Sequence, residues 1–252
     1  MKPRERRLQI ETTIQQQGSA SVEALADRFA VSTETIRRDL SRLAESGRIL
    51  KIHGGARVMR LLNEPAMLVR SGLASREKAQ IGRRLAQAIE PGDTLFIDTG
   101  STTLAAAPAL ARIAGLTIIT NSLRLAEALS AAGSDADIHL LGGRYAPDNG
   151  QTVGPSVLGQ IGEYQADHCV LTVAALSPEI GAMDASHDEA QIARAMAANA
   201  RNLIVLADSS KLGRRAAFTV CRSDRIGLII TDDGASSSQR ADFETHGIRV
   251  WT

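Results

Sequence analysis

The chain has 252 residues, 44% of them apolar, with 29 Lys and Arg against 28 Asp and Glu for a formal net charge of +1; the length predicts one large domain, or one small and one medium. No run of about 18 apolar residues occurs, no signal-like apolar stretch follows the basic start, and two cysteines, Cys169 and Cys221, are too few for a disulfide framework or a four-thiolate zinc site. The expectation is therefore a cytoplasmic protein that neither spans a membrane nor is secreted, and 3% aromatics argues against single-strand binding by base stacking.

The charge is unevenly spread. Residues 1–60 hold 12 basic and 7 acidic residues, a net +5, whereas the remainder holds 17 and 21, a net −4. A basic leading segment on an acidic body suits a chain in which one part meets a polyanion and the other does not. In that segment Leu8, Ile14, Val22, Leu25 and Phe29 fall at helical spacing around Gly18. They predict one helix from about Arg4 to Gln17 and a second from Ser21, a capping residue, to about Ala30. Val31 and Ser32 form a tight turn, with Ser32 a second cap, and a third helix runs from about Thr33 to Ser46 and stops at Gly47. Residues 48–58 then read as a hairpin, or wing, around Gly54 and Gly55.

At about 100° per residue, Ile36, Leu40 and Leu43 form a narrow apolar stripe on the third helix, with Thr35, Arg38 and Arg42 opposite and Arg37 on the flank. A short helix with one face locked into a core and the other carrying Thr and Arg suits the DNA major groove. A solvated charged face is the plainer alternative for an Arg-Arg pair alone, but the two-helix spacing, both caps and the basic wing favour recognition. Residues Arg6 to Ala56, notably Val22-Glu-Ala-Leu-Ala26, Thr35-Ile-Arg-Arg-Asp-Leu40 and His53-Gly-Gly-Ala56, resemble the winged helix-turn-helix of DeoR-type transcriptional repressors. The resemblance implies that Thr35, Arg37 and Arg38 contact bases or phosphates. Ser32, Thr33, Arg42, Lys51 and His53 complete the candidate DNA face, and Asp39 is expected to orient a neighbouring Arg. His53 has no second metal ligand nearby and reads as a structural or phosphate-contacting wing residue.

The predicted domains are a winged helix-turn-helix at 1–57, an irregular linker at 58–75 broken by Asn63, Pro65 and Gly72, and a second domain at 76–252. In the last, helices at about 76–90, 102–112, 122–131 and 188–200 alternate with apolar runs at 94–98, 116–120, 138–141, 169–173, 203–207 and 226–230. Such alternation predicts an α/β fold with a mostly parallel sheet covered on both faces.

The loop Asp98, Thr99, Gly100, Ser101, Thr102, Thr103 joins a strand's carboxyl end to a helix amino terminus, where free amides, the helix dipole and hydroxyls can hold a phosphate. An ordinary strand-to-helix turn is the alternative; the loop is neither a Walker loop nor a dinucleotide fingerprint. Asn121, Gly143 with Arg144, and the 207–211 stretch ending in Lys211 stand at other strand ends, so four polar clusters are expected to converge on one sheet edge as a cup for a phosphorylated metabolite. Lys78, the Asp98 loop, Asn121, Gly143, Asp208-Ser-Ser-Lys211 and Asp232 resemble the effector domain of DeoR-type regulators, itself similar in fold to ribose-5-phosphate isomerase. The resemblance implies a phosphorylated sugar or polyol as effector, contacted also by Asp188 and Glu189 and in reach of Asp184. Residues 170–178 depart from the family pattern, which leaves the ligand's distal contacts open.

An isomerase-like enzyme with an appended DNA-binding domain is the competing reading. Asp188 and Glu189 could serve as bases, but the acid cluster and Lys-Gly-Gly-Gly stretch of that isomerase are not present, whereas the phosphate loop is. Cys169 in an apolar strand reads as a small buried hydrophobe, and His168 beside it points to the opposite face, so no metal, cofactor or catalytic residue is expected. The expectation is a repressor, a dimer or tetramer because paired half-sites demand at least two copies, that binds double-stranded operator DNA and answers to a phosphorylated sugar or polyol.

Overall fold

The computed structural model describes residues 2–45, 49–58, 60–61 and 67–252. They divide into two compact units, Met1–Arg60 and Leu61–Thr252. The expected helix stop at Ser46 and Gly47, Arg48 at the start of the wing, and the breakers Asn63 and Pro65 lie outside the described residues.

In the first unit, α1 (Pro3–Gln17) begins with Pro3 in its first turn, where the missing amide costs nothing. Helix α2 (Val22–Phe29) is capped by Ser21, whose Oγ accepts from Ala24 N at 3.0 Å. Helix α3 (Thr33–Glu45) follows with Ser32 Oγ accepting from Thr35 N at 3.2 Å. Between them Ala30 is left-handed, at φ 51°. Strands β2 (Ile49–Ile52) and β3 (Gly55–Val58) form the antiparallel wing. A third strand, β1 (Ser19–Ser21), pairs with β3; three residues are too few to show a strand period in sequence.

Ile10, Ile14, Leu25, Ile36, Leu40, Leu43, Ile49 and Ala56 make the core of this unit. Each large side chain among them contributes about 1.5–3 kcal/mol by burial. Leu8, expected on the buried stripe, is instead exposed. Ile10 and Ile14, four apart, take the inner face of α1, and Leu8 lies two residues off that face. Asp39 is buried and receives Arg6 Nε at 2.6 Å and Arg7 at 3.4 Å, joining α3 to α1.

The second unit opens with α4 (Met67–Gly72), inside the stretch read as irregular linker. Met67 is fully buried, and six residues span too few turns to display a helical period. Helix α5 (Ser75–Leu85) stops short of the expected Glu90, the chain passing into tighter turns in which Gln87 N donates to Arg84 O at 3.1 Å and Ala88 N to Leu85 O at 2.8 Å. Then come β4 (Thr94–Ile97), α6 (Ser101–Leu110), β5 (Thr117–Thr120), α7 (Leu123–Ala131) and β6 (Asp137–Leu140). A hairpin of β7 (Arg144–Ala146) and β8 (Gln151–Val153) leads to α8 (Pro155–Ile161) and β9 (Ala166–Thr172). Next are β10 (Ala175–Ser177), β11 (Gly181–Asp184), α9 (His187–Ala198), β12 (Ala200–Leu206) and β13 (Phe218–Cys221). The last elements are β14 (Leu228–Ile230), α10 (Ser237–Glu244) and β15 (Arg249–Trp251).

Seven strands form one parallel sheet in the order β15-β14-β12-β9-β4-β5-β6. Its residues alternate between two cores, which is why the strands read as near-continuous apolar runs. Phe96, Ile119, Leu171, Val205 and Ile229 pack with Val157, Ile161, Met196 and Phe243 from α8, α9 and α10. Leu95, Ile97, Ile118, Val170 and Ile204 pack with Ile81, Leu85, Leu110, Leu125 and Leu129 from α5, α6 and α7. Gly82 lets α5 and α6 approach closely, since a Cβ there would lie 2.7 Å from Ala106 Cα. From β4 the chain winds outward through β5 to β6, then returns to place β9 on the other side of β4. The carboxyl ends of β4 and β9 thus form a topological switch point, where open parallel sheets leave a crevice. A small antiparallel sheet is ordered β10-β11-β13; its first strand, β10, falls in residues 170–178, where the sequence departs from the family pattern.

Candidate functional site

On the first unit, α3 presents Arg37, Arg38 and Arg42 to solvent, with Thr33 and Thr35 half-buried. The Glu34 carboxylate lies 3.9 Å from Arg37 and 3.5 Å from Arg38. Exposed pairs of this kind contribute about 0.2–1 kcal/mol, so an incoming phosphate or guanine edge can displace Glu34 at little cost. Ser32 is exposed, but its Oγ is occupied in capping α3 and in a 2.9 Å bond with Thr35 Oγ1. Lys51 Nζ donates to Ser41 Oγ at 3.0 Å, holding the wing against α3, and His53 is exposed at the hairpin tip. Asp39 faces inward to Arg6 and Arg7, away from this basic surface.

In the second unit a cavity of about 200 Å³ occupies the switch point. Thr99, Ser101 and Thr102 enter it from the loop after β4, and Thr172 and Val173 from the end of β9. Beyond β12, Ala207, Asp208, Ser210 and Lys211 close a third side, followed by Arg214. Asp184 and Glu189 approach from β11 and α9, while Arg70, Leu73, Ala74 and Lys78 come from α4, the turn after it and α5. Hydroxyls at a helix amino terminus, four cationic side chains and three carboxylates therefore share one small space. Such a lining can hold an anion at one point and hydroxyl groups at another.

The loop that carries the hydroxyls is set by Asp98. Its two carboxylate oxygens each lie 3.0 Å from the Thr172 amide, binding the loop to β9. Gly100 permits this closeness: a Cβ there would lie 2.0 Å from Thr172 Oγ1. Thr103 Oγ1 donates to the carbonyls of Asp98 and Gly100 at 3.1 and 2.9 Å. Burial pushes the Asp98 carboxyl well above the usual carboxylate range, against the Thr172 amide bond, and the charges of Asp184 and Glu189 push it further. On the opposite side, Asp208 accepts from Ser210 N at 3.1 Å, and Asp232 accepts from Ser209 N at 2.6 Å, so the segment bearing Lys211 is also anchored.

Of the residues expected from sequence, Thr99, Ser101, Thr102, Glu189 and Lys211 line the cavity. Asp98, Gly100 and Thr103 shape the loop from behind. Asn121 is buried one strand further out, donating to Gln151 Oε1 at 3.1 Å and Thr152 O at 2.9 Å. Gly143 and Arg144 follow the edge strand β6, two strands or roughly 10 Å from β4. Arg144 instead pairs at 3.2 Å with Asp188, which is exposed. The four strand ends do not all converge because strand order, not chain order, decides which of them meet. Asp184, expected within reach of the ligand, also lines the cavity, whereas Arg70, Thr172, Asp208, Ser210 and Arg214 join the lining without having been singled out as contacts, although Asp208 and Ser210 belong to the legible 207–211 cluster. Among the described residues, no group of three or more His, Cys, Asp or Glu is placed to hold a metal ion, and no helix is long and apolar enough to cross a membrane.

A basic helix-and-wing unit combined with a polar cavity at the switch of a parallel sheet defines a DNA-binding regulator with a small-molecule sensor. Residues 6–60 match the DeoR-like helix-turn-helix domain and residues 73–233 the DeoR C terminal sensor domain. The chain belongs to the DeoR family of transcriptional regulators. It is 34% identical over 250 residues to the glycerol-3-phosphate regulon repressor of Escherichia coli K12, covering 99% of each chain. It is 32% identical over 230 residues to the HTH-type transcriptional repressor GlcR of Bacillus subtilis 168, covering 90% of this chain and 88% of that one. A solved structure of a probable sor operon regulator from Shigella flexneri superposes with a TM-score of 0.42 at 15% identity, covering 82% of this chain and 97% of that one. For a ribose-5-phosphate isomerase bound to phospho-erythronic acid the TM-score is 0.41 at 17% identity, covering 54% and 53%.

Proposed function

We propose that the protein is a cytoplasmic repressor that binds operator DNA through α3 and the wing as a dimer or tetramer, and that a phosphorylated sugar or polyol in the cavity releases it. The observation that carries this reading is the cavity lining, where the Thr99-to-Thr102 loop at the start of α6 faces Lys78, Lys211, Arg70 and Arg214. Hydroxyls, helix amides and cations together suit a phosphate, and Asp184 and Glu189 supply acceptors for hydroxyl groups. The relative named for the glycerol-3-phosphate regulon points to the same ligand chemistry.

The geometry favours sensing over isomerisation. A base for aldose-ketose chemistry must reach the substrate carbons. Asp188 lies outside the lining and pairs with Arg144, and Glu189 Oε1 accepts from both Asn149 and Gln151.

The test is a thermal-shift screen of phosphorylated sugars and polyols, glycerol 3-phosphate included, each beside its unphosphorylated form. At about 100 times its Kd a ligand specific to the folded state adds about 2.7 kcal/mol, and only phosphorylated compounds should do so. With an operator recovered by selection from randomised duplex DNA, Thr102→Ala and Lys211→Ala should still bind DNA but need about tenfold more effector for release. If both release DNA at wild-type concentrations, the cavity is not the effector site.

A further inference from the structure

The cavity wall formed by α4 and the turn after it is held by one ammonium group. Lys78 is 5% exposed, and its Nζ donates to the carbonyls of Arg70 at 2.5 Å and Leu73 at 2.8 Å. Arg70 lies in the last turn of α4 and Leu73 just after it, where carbonyls lack partners within the helix; Arg70 O also accepts from Leu73 N at 3.2 Å. The next residue, Ala74, is left-handed at φ 52°, a conformation in which a Cβ is crowded and which persists only when its surroundings enforce it. The Lys78 amide donates to Ala74 O at 2.9 Å, so one residue grips this turn from backbone and side chain alike. Arg70 adds a 2.9 Å bond to Asn149 Oδ1. Lys78, Arg70, Leu73 and Ala74 also line the cavity. Helix α4 is the first helix of the second unit and follows the DNA-binding unit in sequence.

We propose that Lys78 is a positioning residue that clamps the turn at residues 70–74, and that an anion in the cavity opens the clamp, so that occupancy changes how the tether to the DNA-binding unit is held. The proposal rests on the reading of the cavity as the effector site. An ammonium-phosphate bond is charged on both sides, whereas the clamp's acceptors are neutral carbonyls, so a phosphate competes with them for Nζ. Once the clamp opens, the strained backbone at Ala74 favours rearrangement of the turn. The effector then acts through its differential affinity for the clamped and open forms, as any ligand that shifts an equilibrium must.

The clamp can be tested on the full chain without ligand. Lys78→Met keeps the stem and removes the donors. Residues 70–74 should then exchange amide hydrogens about tenfold faster while the central sheet stays protected, and the operator Kd should rise about tenfold. Lys78→Arg, which keeps a cationic donor, should restore both. Should Lys78→Met fail to fold, Lys78→Gln is measured in the same two assays, with the same directions expected. Faster exchange with unchanged operator affinity would overturn the coupling, and unchanged exchange would overturn the clamp. Failure of the underlying reading looks different: no phosphorylated compound in the thermal screen raises the transition, whatever Lys78 does. A compound that raises it, yet leaves exchange at 70–74 unaltered in the wild type, overturns this proposal alone.

Discussion

Asp98 stands where two strands of the sheet meet, and its carboxyl is shaped by that position. Burial raises its pKa, the Thr172 amide opposes the rise, and Asp184 and Glu189 reinforce it. The folded protein therefore holds a proton that an unfolded aspartate releases near pH 3.9. Stability from this group is complete below that value and is lost as pH rises through the folded pKa. Asp98→Asn keeps an acceptor for Thr172 and removes the ionisation. Thermal scans from about pH 4 to 8 should show wild type losing stability relative to the variant as pH rises; parallel curves would count against the assignment. The loop's hydroxyls were legible as residue types following a strand. The environment of Asp98 was not, because Thr172 lies 74 residues away and becomes its partner only through strand order.

At the scale of elements, the first unit was the more legible. Ser21 and Ser32 cap the helices they were expected to cap, and the apolar stripe of α3 is buried as its period requires. What escaped was short: β1, α4 and the small antiparallel sheet hold too few residues each to show a period, and tertiary pairing defines them. The turn between α2 and α3 illustrates a cost that sequence does not display. Ala30 closes α2 in the left-handed region with its N–H directed to Asp27 O at 3.3 Å. Ala30→Gly should relieve crowding of the Cβ, offset in part by greater freedom of the unfolded chain. The expected result is a gain of about 0.5–1 kcal/mol, read as a higher urea midpoint at unchanged slope. A loss of stability would mean that the Ala30 methyl contributes packing that outweighs its strain.

Across the whole molecule, near-neutrality resolves into two working distributions. The +5 segment exposes Arg38 and Arg42 on the outer face of α3 and Arg37 on its flank, so operator binding should weaken steeply with salt. If Arg38 grips phosphate, Arg38→Ala should weaken all duplexes alike and flatten the log-log salt slope by about 1; if it reads a base, the cost is about 1–3 kcal/mol and specificity relaxes at one position. Unchanged affinity and slope would remove Arg38 from the interface. The −4 body was expected to hold a phosphate with amides and hydroxyls, with Lys211 and Arg144 among its strand-end clusters. Its cavity instead gathers four cationic side chains against three carboxylates, a balance invisible in the sum because Arg70 and Arg214 carry no motif that marks them.

The cavity draws on residues from Arg70 to Arg214, whereas the core of the DNA-binding unit is complete between Ile10 and Ala56. Domains fold as units and in order of emergence during synthesis, and parallel pairings between distant strands form slowly. A nascent or prematurely ended chain would thus complete the helix-and-wing unit well before the cavity. Fragments ending before β12 would lack Lys211 and Arg214, and on the proposed reading of the cavity they are predicted to be deaf to the effector. Control by the metabolite is in this sense the last property the polypeptide gains, and the first that damage to its later half would take away.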